Sequence, residues 1–148
     1  GLWYPKLWIP FKGWFGYGDF GPLGRHLRFV ERSSRRLART LFHCMVRFGP
    51  KLEKRQAVLG RLVEIGAELL AISAACSRAQ AMVKQNPTQT GPRELADVFS
   101  RQARRRVEQK FREVWANDDV ATYQTARHFM DDHFLWLEEG MVREASKA

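Results

Sequence analysis

Apolar residues return at helical spacing through most of this 148-residue chain. Leu27, Val30, Leu37, Leu41, Met45 and Phe48 form a first stripe, with Ser34 filling its gap. The spacing predicts a helix from about Leu23 to Phe48. Gly49-Pro50 closes it, because glycine tolerates the turn after a helix and proline cannot continue one. A second helix is predicted from about Lys51 to Gln85, with Leu52, Leu59, Leu62, Val63, Leu69, Leu70 and Ile72 on its apolar face. Gly60, Gly66, Ala67, Ala71, Ala74, Ala75 and Ala79 line much of the same helix. Small side chains admit a neighbouring helix closely, so this helix is expected at the centre of a bundle, with Gly66 as a close-contact point. Residues 86–92, NPTQTGP, read as a loop. A third helix follows from about Arg93 to Trp115 on the stripe Leu95, Phe99, Ala103, Val107, Phe111 and Val114. Asn117-Asp118-Asp119 offers a turn and an acidic helix start. A fourth helix is predicted from about Val120 to Glu138 through Tyr123, Met130, Phe134 and Leu137. Nothing alternates with strand period. The expected fold class is all-α, an antiparallel four-helix bundle.

The first 22 residues break this pattern. Trp3, Tyr4, Trp8, Phe11, Trp14, Phe15, Tyr17 and Phe20 crowd a stretch interrupted by Pro5, Pro10, Gly13, Gly16 and Gly18. A regular helix cannot run through it. The organisation expected is therefore an irregular aromatic arm or linker at residues 1–22, then a helical domain at 23–148. Large aromatics left in water are a liability. Trp3, Tyr4, Trp8, Phe11, Trp14 and Phe15 are accordingly the candidate anchors, against lipid, a partner chain or the rest of a larger protein.

Charge sharpens the picture. The chain carries 25 Lys and Arg against 16 Asp and Glu, a net of +9, which favours anionic partners: nucleic acid, acidic lipid or acidic protein. The excess is uneven: residues 1–49 carry +7 and residues 117–148 carry −4. Attraction between the rims of helices one and four is the simplest explanation. Cys44 and Cys76 lie inside apolar helical patterns and are expected as reduced core thiols of a cytosolic protein. No secretory leader pattern and no apolar window of about 18 residues occurs. The chain begins with Gly1, which is consistent with a piece of a longer polypeptide or a separate subunit.

Candidate chemistry is sparse. His128 with Asp132, and Asp131 nearby, is the closest local match to metal-ligand spacing, with His133 expected to point elsewhere. Two Glu-x-x-His motifs, which a di-iron bundle needs, are missing. Surface or capping roles are expected for His26, His43, His128 and His133. Glu64 and Glu68 sit one turn apart on the apolar second helix; ion pairs with Arg61 or with arginines of helix one are the expected explanation. No phosphate loop, nucleophile elbow or Cys-His constellation occurs, so no catalytic, cofactor-binding or metal residue is assigned. Two basic runs remain. RSSRR in helix one lets Arg28, Arg32, Arg35 and Arg39 share one face. RQARRR in helix three gives Arg101, Arg104, Arg105 and Arg106. Glu108 and Glu113 interleave the second run and stacking aromatics accompany neither, so a solvated face or an acidic protein surface fits better than nucleic acid.

Residues 27–80, 94–119 and 123–141 resemble, in the same order, the C-terminal helical extension of very-long-chain-type acyl-CoA dehydrogenases, especially the actinobacterial members. The resemblance implies an accessory packing and assembly domain of a flavin-dependent fatty acyl-CoA dehydrogenase of β-oxidation. It further implies that FAD, the acyl-CoA pocket and the catalytic glutamate belong to a separate body, in the same or a neighbouring polypeptide. That body is the implied partner, and this chain alone is expected to be non-catalytic. In long-chain members the extension is associated with inner-membrane attachment. A cytoplasmic chain with peripheral attachment to an anionic membrane surface, through the arm and the basic helix one, is thus the alternative. A nucleic-acid-binding regulator ranks below both.

Overall fold

The computed structural model describes residues 16–137. The six candidate anchors Trp3, Tyr4, Trp8, Phe11, Trp14 and Phe15 lie outside the described residues. Four α-helices and no strand occur among them: α1 Gly24–Phe48, α2 Gln56–Gln85, α3 Gly91–Glu113 and α4 Asp119–Met130. The fold is all-α. Short 3-10 segments at Tyr17–Leu23, Gly49–Lys54 and Leu135–Leu137 complete the path. The chain divides into two compact units after Trp115.

In the first unit, core side chains on α2 recur at steps of three and four: Val58, Leu62, Ile65, Leu69, Ile72, Cys76, Ala79 and Val83. On α3 they are Ala96, Ser100, Ala103, Val107 and Phe111, with Val114 just past the helix. Cross-helix pairs give the directions. Gln80 meets Arg93, Cys76 meets Ser100, Glu68 meets Arg106 and Glu64 meets Lys110, so α2 and α3 run antiparallel. His26 meets Asp97 and Arg36 meets Glu108, so α1 and α3 run parallel with a constant offset. Cys44 and Cys76 are buried free thiols whose ionisation burial pushes upward.

Several expected core positions face outward. Val63 and Leu70 of α2 are 72% and 70% exposed, and Leu95 of α3, with Leu41 and Met45 of α1, is also exposed. Val63, Ala67, Leu70 and Ala74, all exposed, share the face of α2 opposite its core stripe. The second helix is therefore apolar on two opposed faces. Gly66 is half-buried, and a methyl there would meet only Leu37 Cδ2, at 3.9 Å. That is ordinary contact, which corrects its reading as a tight crossing point.

α1 ends as expected: Gly49 takes φ +49°, a conformation that glycine adopts without a side-chain clash. Helix one's true core face includes His26, Ser33 and Thr40 beside Leu27, Phe29 and Cys44, and Ser34 is exposed. The segment before α1 folds back on it. Tyr17 and Phe20 pack against the core, Leu23 is fully buried, and Gln80 donates to the Asp19 carbonyl at 2.5 Å. Gly24 permits this approach, since a Cβ there would lie 2.9 Å from the Tyr17 carbonyl oxygen. Two aromatics of the arm thus bury against this chain itself.

In the second unit, α4 buries none of its residues and stops at Met130, short of the expected Glu138. Tyr123 and Met130, read as core positions, are exposed, Met130 by 82%. Asp132 takes φ +62° in the turn that follows. Across that turn the rings of His128 and His133 stack at 5.1 Å, so His133 does not point away. Phe129 and Phe134 stack beside them at 5.9 Å.

Candidate functional site

The parallel run of α1 and α3 brings the two basic runs to opposite walls of one groove of about 660 Å³. α1 contributes Phe29, Arg32, Ser33, Arg36 and Arg39; α3 contributes Arg101, Arg104, Arg105 and Glu108. Six guanidiniums thus face one carboxylate. Of the basic face read from the sequence, Arg32 and Arg39 line the groove. Arg28 is exposed outside its lining, and Arg35 pairs with Glu31 at 2.5 Å along its own helix. Arg36 takes the place given to Arg35.

The walls are fixed. Arg36 reaches across to Glu108 at 2.9 Å and lies over the Phe111 ring at 4.1 Å. Arg104 lies over Phe29 at 4.7 Å. Arg101 is held by Asp97 at 2.8 Å. Arg32, Arg104 and Arg105 have no carboxylate partner among the described residues. The aromatics that sequence reading found missing from both basic runs are therefore supplied by the fold. Phe29 precedes the first run and was not among the core positions read from the sequence; Phe111 follows the second and was visible only as a core candidate.

One turn before the groove's lining residues on each helix, α1 and α3 are joined by a polar pair. His26 is fully buried, not a surface or capping residue, and its Nε2 donates to Asp97 Oδ1 at 2.7 Å. Arg25 donates to the same oxygen at 2.5 Å. This places the proton on Nε2 and leaves His26 Nδ1 buried without a partner. Burial lowers the His26 pKa, against the opposing pull of Asp97. The hydrogen bonds from Arg25 and then His26 hold the Asp97 carboxyl well below the usual carboxylate range.

Glu64 and Glu68 face α3 and not α1. Glu68 takes a two-pronged bond from Arg106 at 2.6 and 2.9 Å, and Glu64 pairs with Lys110. These are partly exposed structural pairs of modest stabilising value. Among the described residues, arginines of α1 pair with acids on α1 itself, at Glu31, and on α3, at Asp97 and Glu108. Among the described residues, no three His, Cys, Asp or Glu side chains are grouped to hold a metal, and no helix is long and apolar enough to cross a membrane.

Comparison with known proteins addresses the family. The family model described as the ACAD9/ACADV C-terminal domain matches residues 22–134. The probable acyl-CoA dehydrogenases FadE10 of Mycobacterium bovis and of Mycobacterium tuberculosis are each 47% identical to the chain over 130 residues. The match covers 87% of this chain and 20% of theirs. The chain thus spans about a fifth of the length of these curated relatives. No solved structure matches it. The family match runs from the 3-10 segment through all three core helices and α4, and the chain belongs to the ACAD9/ACADV C-terminal domain family.

Proposed function

We propose that the chain is a packing and assembly domain that docks onto the catalytic body of an FAD-dependent acyl-CoA dehydrogenase. The observation that carries this reading is the second apolar face of α2. Val63 and Leu70 stand in water on the face opposite the core, in a chain that matches a fifth of its relatives' length. A buried helix is apolar all round, whereas a surface helix carries a single stripe. The outer stripe of α2 fits the first description once the body covers it. Each large aliphatic side chain so covered contributes about 1.5–3 kcal/mol.

The flavin belongs to the body in this reading. The groove between α1 and α3 offers guanidiniums, one carboxylate, one hydroxyl and one phenyl ring, that of Phe29, which Arg104 covers. That donor set has no apolar slot for an isoalloxazine, so the residues here do not fit FAD. The FAD and the oxidation of acyl-CoA are assigned to the body on the strength of the relatives' names.

Truncating the whole polypeptide before Leu23 tests this assignment. Flavin absorbance is expected to stay with the truncated body through gel filtration, while its thermal midpoint falls. Loss of the flavin on truncation would make this chain part of the cofactor site and contradict the reading.

A further inference from the structure

We propose that the groove between α1 and α3 is a binding site for a ligand carrying two linked phosphate groups, with pyrophosphate as its minimal form. Nothing in the packing role requires this site, and the proposal stands apart from it.

The charge is the first argument. Arg32, Arg104 and Arg105 meet in a concavity with no carboxylate to balance them among the described residues. Like charges held together in a fold destabilise it unless an anion joins them. Two linked phosphates carry roughly three negative charges near neutral pH, which matches three unbalanced guanidiniums. Arginine's planar fork also suits phosphate oxygens, two hydrogen bonds at a time.

Shape is the second argument, and it separates a small phosphate ligand from an acidic protein element. The volume of about 660 Å³ falls in the range of small-molecule sites. The Arg36–Glu108 bridge ties the two walls together at 2.9 Å. A helix about 10 Å across would have to break this bridge to lie against both walls, whereas a small phosphate ligand need not.

Preorganisation is the third. Arg104 is set over the Phe29 ring, and Phe29 is itself buried, so this guanidinium is already ordered. Less side-chain freedom is then lost on binding. The Ser33 hydroxyl lines the same wall and adds a neutral donor.

The test titrates the chain with inorganic pyrophosphate by calorimetry. Sedimentation with phosphatidylcholine vesicles, with and without phosphatidylglycerol, runs in parallel. The variants are Arg32→Gln and Arg105→Gln, alone and together, with the exposed Arg78→Gln of α2 as control. Among the described residues Arg32 and Arg105 have no ion-pair partner to lose, so their variants are expected to unfold at the wild-type midpoint.

Pyrophosphate should bind, and the double variant should bind it about tenfold more weakly or worse, while Arg78→Gln changes nothing. Binding of pyrophosphate without vesicle binding identifies a soluble phosphate ester. Vesicle binding that pyrophosphate displaces, and that the double variant loses, identifies a phospholipid headgroup; either result supports the site. The proposal fails if pyrophosphate does not bind, or if all three single variants weaken binding equally. It also fails if polyglutamate binds as tightly as pyrophosphate, because the groove then reads carboxylates on an acidic protein.

Discussion

Ile72→Ala is expected to destabilise the isolated chain by about 2–5 kcal/mol, whereas Leu70→Ala two residues away should change it by no more than about 0.5 kcal/mol. Both are large aliphatic residues in the middle of the same helix. Ile72 is 0% exposed among the core side chains of α2, so truncation removes buried methyl groups and leaves a cavity. Leu70 stands on the opposite face in water, so truncation removes little that is buried within this chain. Urea unfolding of the two variants measures the difference. Equal losses would mean that α2 is enclosed on both faces within the chain itself, and its outer stripe could not then be a docking surface.

Asp97→Ala should cost about 1–3 kcal/mol although Asp97 is partly exposed, because the loss falls on His26. With the carboxylate gone, the buried Nε2 donor has no acceptor, and Nδ1 already lacks a partner. The ion pairs with Arg25 and Arg101 are exposed on the arginine side and add little.

The pH dependence of the wild-type chain follows from the same pair. The folded state holds His26 with a lowered pKa, so it binds fewer protons than the unfolded state just below 6.5. Stability from this group is full above 6.5 and falls as the pH drops from there to the lower folded value. Asp97 adds a second loss that begins below 3.8, since its folded pKa is also depressed. Asp97→Ala removes the interaction that opposes the His26 shift, so the first decline starts at the same pH and extends further. A midpoint that stays constant between about pH 7 and pH 5 would show that His26 is solvated in the folded chain.

What the sequence could show depended on sequence distance. Helix ends written in local chemistry were legible: Gly49-Pro50 closes α1 after Phe48, and the loop at 86–92 overlaps the observed break at 86–90. The stripe of α3 was read as it is buried from Ala103 through Val107 and Phe111 to Val114, but its first turns bury Ala96 and the polar Ser100 where Leu95, which is exposed, and Phe99 were expected. α1 was harder, because His26, Ser33 and Thr40 occupy core positions that a hydrophobicity pattern scores as surface. His26 is buried through Asp97, 71 residues away, a pairing that no local pattern contains. For α2, small and apolar residues surround the helix on two sides, and periodicity alone cannot say which side this chain fills. Tyr123 and Met130 have the right spacing for a core face, but spacing does not supply the surface that would cover them. The groove shows the same limit. Each basic run was visible as a run, and only the parallel register of α1 and α3, with Arg36 level with Glu108, turns two rims into facing walls.

The most direct test of the docking account places a cysteine at position 70. Cys44 and Cys76 are buried, and burial keeps both thiols protonated, so they give a silent background for thiol labelling. Leu70→Cys is made in the free chain and in the whole polypeptide that contains it. Labelling should be fast in the free chain and at least about tenfold slower in the whole polypeptide, where the body covers the outer face of α2. Equal labelling rates in the two would contradict the account, because the stripe through Val63 and Leu70 would then remain in water beside its own catalytic body.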